Sequence, residues 1–84
     1  MERADAWTLQ GVELLIEFDR RGDPDLLDRS LVLLRRAVDA TSARHPHRGE
    51  RLTNLCAALL GQFQLTGDRR ALDDAVAVAR SRDW

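Results

Sequence analysis

The sequence predicts an all-α fold, four antiparallel helices arranged as two stacked helix-turn-helix hairpins, and three observations carry that prediction. Apolar residues recur at i, i+3/i+4 and i+7 in four segments, a spacing that places one stripe on one helix face, and no segment alternates with period two. Gly-Asp breaks stand at two points, Gly22-Asp23 and Gly67-Asp68. Sliding the sequence against itself by 45 residues superimposes the breaks and the stripes together, which marks a repeat architecture.

The first helix is predicted over about 4–21, with Trp7, Gly11, Leu14, Leu15 and Phe18 on its stripe. It ends at Arg21-Gly22-Asp23-Pro24. There Gly22 can turn left-handed, Asp23 can cap the next helix, and Pro24 suits a first helical position because its missing N–H has no partner there anyway. The second helix, about 24–41, carries Leu27, Leu31, Leu34, Val38 and Thr41; Leu26, Val32 and Leu33 widen its apolar surface, so it is expected between neighbours. A third break runs from Thr41 to Pro46, whose proline suits a helix start and disfavours helix before it. The third helix, about 47–66, carries Leu52, Leu55, Cys56, Leu59, Leu60 and Phe63. The fourth, about 69–82, follows Gly67-Asp68 and carries Leu72, Ala75, Val76 and Ala79.

At the 45-residue offset Thr8 matches Thr53, Leu14 and Leu15 match Leu59 and Leu60, Phe18 matches Phe63, Leu27-Asp28 matches Leu72-Asp73, and Arg35 matches Arg80. One domain, 1–84, is expected, with its first repeat at about 4–42 and its second at about 46–84. A hairpin cannot bury its stripe alone, so the two must stack.

The stretch His45-Pro46-His47-Arg48, Leu52-Thr53-Asn54-Leu55-Cys56, Thr66-Gly67-Asp68 and Leu72-Asp73-Asp74-Ala75-Val76 resembles the long tetratricopeptide repeats of actinobacterial regulatory proteins and of proteins linked to caspase-like domains. Phe18, Gly22-Asp23, Leu27-Asp28 and Arg35-Arg36-Ala37-Val38 resemble the same pattern in the first repeat. The general tetratricopeptide pattern is similar too. Trp7 falls at its large aromatic, Gly11 and Cys56 at the small position where the helices of a hairpin cross, and Ser30, Ala75 and Ala37 at the small positions of the second helix. Close crossing needs small side chains. The period departs from the usual 34 residues, which lengthens the helices, and Arg82 stands where a small residue belongs. The resemblance implies a bacterial protein-binding scaffold. It also implies a role for Asn54, which resembles the first-helix asparagine that hydrogen-bonds a bound peptide. Thr8, Val12, Thr53, Ala57 and Leu60 are its expected neighbours on the groove, and Leu9 takes the equivalent place in the first repeat.

Composition narrows the alternatives. Net charge is −1, with 32% charged residues, so bulk charge draws the chain neither to nucleic acid nor to an anionic membrane. Residues 1–42 hold nine acids and six bases and residues 43–84 five acids and seven bases, an asymmetry that favours head-to-tail self-contact. All basic residues are Arg, as in a GC-rich genome. One cysteine allows no internal disulfide, and with no secretory-type N-terminus the expected location is the cytoplasm.

No catalytic residue, metal ligand set or cofactor site is predicted. Cys56 lies on the apolar stripe and reads as a structural thiol, since reactive thiols need exposure and positive charge. His45 and His47 read as a loop and a helix cap, short of the four ligands a zinc site needs. Asp23, Asp25, Asp28, Asp68, Asp73 and Asp74 read as first-turn acids that complement helix dipoles. Arg35-Arg36, Arg69-Arg70, Arg80 and Arg82 read as a solvated face, with no aromatic interleaved for base stacking. Trp84 either frays past the last helix or anchors a partner. The function expected is a protein or peptide interaction module that also forms a homodimer. The alternative is a small-molecule binder or enzyme of a bacterial biosynthetic pathway, its pocket formed between chains.

Overall fold

A computed structural model describes residues 3–81, and it is all-α. Helix α1 runs Arg3–Arg21, α2 Pro24–Asp39, α3 Arg48–Thr66 and α4 Arg69–Arg80. These bounds fall within two residues of the sequence-based ones. Helix α1 packs on α2 and α3 on α4, α2 joins the hairpins through α3, and α1 touches α3 lightly. No described helix is long and apolar enough to cross a membrane. Trp84 lies outside the described residues.

The two turns are near copies. Gly22 and Gly67 take φ of 70° and 71°, the left-handed region open to glycine. The Gly22 N–H donates to the Phe18 carbonyl and the Gly67 N–H to the Phe63 carbonyl, each at 2.7 Å. The Asp23 carboxylate then accepts from the Asp25 N–H at 3.0 Å, and that of Asp68 from the Arg70 N–H at 2.9 Å.

The core joins Leu27, Leu31, Leu34 and Val38 of α2 to Leu52, Leu55, Ala58 and Leu59 of α3 and Ala75 of α4; Val12, Leu15, Phe18, Cys56 and Val78 pack against it. Each hairpin crosses at its small residues. In the first, the buried Ser30 hydroxyl donates to the Gly11 carbonyl at 2.6 Å. In the second, the equivalent residues trade roles, and the Cys56 thiol on α3 donates to the Ala75 carbonyl on α4 at 3.6 Å.

The connection from Ala40 to His47 departs from expectation. Helix α2 stops at Asp39, so Thr41 lies beyond it, although it is buried. Helix α3 starts after Pro46, with His47 at the N-cap making no side-chain cap bond. Instead the His47 N–H donates to Nδ1 of His45 at 3.1 Å, so the preceding histidine side chain takes up that backbone donor. Asp73 and Asp74 fall past the first turn of α4, and Asp74 pairs with Arg35 at 3.5 Å. Helix α2 lies between α1 and α3 as expected, yet Val32 stays half exposed beside Leu14, Arg29 and Leu33.

Candidate functional site

Two surfaces gather the residues singled out in the sequence. The first is a cleft of about 340 Å³ between α1 and α3, lined by Asp5, Thr8, Leu9, Val12, His47, Glu50, Arg51 and Asn54. It collects three expected partner-binding residues: Thr8, Val12 and Asn54. It does not collect Thr53, Ala57 or Leu60, which are exposed. At about 100° per residue, Thr53, Ala57 and Leu60 lie roughly a sixth to a third of a turn from Asn54 on α3. Trp7 is also elsewhere, half-buried beside Arg36, Asp39 and Ala40 at the end of α2.

The floor of the cleft holds a residue that the sequence reading passed over. Arg51 is 2% exposed on the inner face of α3. Its guanidinium donates to the Thr41 hydroxyl at 2.7 Å and pairs with the Asp5 carboxylate. The Thr41 hydroxyl donates in turn to the Ala37 carbonyl. Arg48 reaches the Thr41 carbonyl at 2.7 Å. One clasp thus joins the start of α1, the end of α2 and the start of α3. A signal was available, since Arg51 precedes Leu55 by four residues and Ala58 by seven and so shares their buried face. No buried side-chain N or O among the described residues lacks a hydrogen-bond partner.

The second surface is the outer face of the α3–α4 hairpin. Leu60 is 40% and Val76 44% exposed there, with Cys56, Phe63 and Leu72 half-buried and Ala79 exposed. Cys56 is therefore not the enclosed thiol the stripe suggested, because no described helix covers its outer side. Positions 45 residues earlier show what such a face becomes when covered. Leu27, Leu31 and Leu34 are buried with the leucines of α3, and Leu15 and Phe18 pack against the same cluster.

The histidine rings of His45 and His47 stand 5.6 Å apart. Among the described residues no group of three or more His, Cys, Asp or Glu could hold a metal ion. Comparison with protein-family models, with curated proteins and with solved structures returns no match to this chain.

Proposed function

We propose that the protein is a tetratricopeptide-like interaction module that docks a helical partner on the outer face of its α3–α4 hairpin, a second copy of the chain being the partner the chemistry fits. One observation carries this reading: Leu31 is 6% exposed under α3, whereas its repeat equivalent Val76 is 44% exposed on an apolar face that no described element covers. Covering a Leu or Val is worth about 1.5–3 kcal/mol each, so closing a face of several such residues supplies a large part of an association free energy. A cytoplasmic location goes with the proposal, since one cysteine suits a reducing compartment.

The test is the sedimentation of wild type, Leu60→Asp and Val76→Asp across a hundredfold concentration range. Each substitution sets a charge on a half-exposed position, so the monomer keeps its helicity while the assembly weakens by at least about tenfold. A wild-type chain that assembles, with both variants assembling equally well, would defeat the reading.

The α1–α3 cleft supports a second, smaller contact. Thr8 and Asn54 converge with Val12 and Leu9 on one opening, a polar and apolar mixture suited to an extended peptide.

A further inference from the structure

The geometry of α4 points to a specific mode of self-association: we infer a two-fold dimer in which the α4 helices of two copies pack antiparallel across Val76, with Asp73 of each copy against Arg80 of the other. The inference rests on the proposed use of the α3–α4 face and adds its register.

Val76 is the most exposed large apolar residue of α4. Asp73 precedes it by three residues and Arg80 follows it by four, and at about 100° per residue both stand on the same side of the Val76 line, within about 20° of each other. Leu72 and Ala79 stand on the opposite side of that line, toward α3. A two-fold axis perpendicular to two antiparallel helices keeps each side on its own side and reverses position along the helix. Asp73 then lies about 4.5 Å from the axis level and the partner's Arg80 about 6 Å, in the same direction, so the two charges meet within about 1.5 Å along the helix. The same operation sets Leu72 beside the partner's Ala79. The seam thus reads apolar toward α3, Val76 at the centre and two identical ion pairs at the outer rim.

Asp73 and Arg80 are both exposed, and no ion pair among the described residues takes either of them, while the neighbouring Asp74 is already held by Arg35. The outer face of α1 does not offer an equal counterpart. Where α3 presents Leu55 and Ala58 to α2, the repeat-equivalent positions of α1 are Gln10 and Glu13, both exposed. Docking α1 of a second copy on the open face would put those polar groups against leucine without partners. The charge asymmetry between the two halves of the sequence favours head-to-tail contact in bulk, but the residues at the faces favour like against like, which closes at two copies and does not extend into fibres.

The experiment is a charge exchange at about 50 mM salt, where exposed pairs are least screened. Asp73→Arg and Arg80→Asp each turn two attractive pairs into two repulsive ones, and each is expected to weaken the dimer by about tenfold or more. The double variant returns toward wild type. A 1:1 mixture of the two single variants restores both pairs, so native mass spectrometry should show the heterodimer well above the statistical half. Helicity by circular dichroism checks that α4 survives each change. A dimer disrupted by Leu60→Asp but indifferent to the charge exchange, with singles mixing statistically, overturns the two-fold register and leaves the use of the face standing. A wild-type chain that stays monomeric at 100-fold above the working concentration overturns both.

Discussion

The two hairpins share a plan and differ in what lies on their outer faces. In α1–α2 the stripe built from Leu27, Leu31 and Leu34 is buried beneath α3. In α3–α4 the corresponding Leu72, Val76 and Ala79 meet no further described helix, and the side chains shrink accordingly from Leu31 to Val76 and from Leu34 to Ala79. The crossings differ in the same sense. A methyl added at Gly11 would lie 2.7 Å from Cδ2 of Leu34, whereas the equivalent position holds the whole Cys56 side chain, half-buried. A covered hairpin is packed tightly enough to need glycine at its crossing, and an open one tolerates sulfur there. Residue size at equivalent positions therefore reports which face is enclosed.

That contrast can be broken most sharply at position 31. Leu31→Ala should cost about 2–5 kcal/mol of stability in urea unfolding, while Val76→Ala, measured where the chain is monomeric, should stay within about 0.5 kcal/mol. Equal losses would mean that the outer face of α3–α4 is as enclosed as the first. Next comes the crossing. Gly11→Ala forces Leu34 aside in a packed interior and should cost about 1–3 kcal/mol, with Cys56→Ala costing less. The smallest effect belongs to the caps, where the hairpins are alike. Asp23→Ala and Asp68→Ala each remove one side-chain cap bond and should each cost about 1 kcal/mol; thermal melts that separate them widely would show that the shorter, less covered α4 is held by its cap more than α2 is.

The turns, the helix limits and the small residues of the crossings were legible because each has a local cause. Gly22-Asp23-Pro24 and Gly67-Asp68 end one helix and start the next through their own backbone and side-chain bonds, whatever surrounds them. The third break was less legible, since Pro46 marks a boundary without saying which residue caps it, and the hydrogen bond that Thr41 accepts comes from Arg51 on the next helix. Arg51 was missed for the same reason. An arginine beside an apolar stripe ordinarily reaches water, and here Asp5, from 46 residues away, meets it together with Thr41. Of the expected groove residues, Asn54, expected from the resemblance, and Thr8 line one cleft, whereas Leu60 lies about a third of a turn away on the open surface, because the apolar stripe around α3 is broad enough to face two neighbours.

The buried arginine has a consequence for alignment. Leucine stripes repeat every turn or so, and a helix sliding along such a stripe exchanges one apolar contact for a similar one. The clasp of Arg51 with Asp5 and Thr41 does not repeat. Moving α3 along α2 by a single turn, about 5.4 Å, would draw the guanidinium away from both groups and strand a charge among leucines, at a cost of several kcal/mol. The clasp is a registration mark: it discriminates between neighbouring alignments that oily surfaces scarcely tell apart.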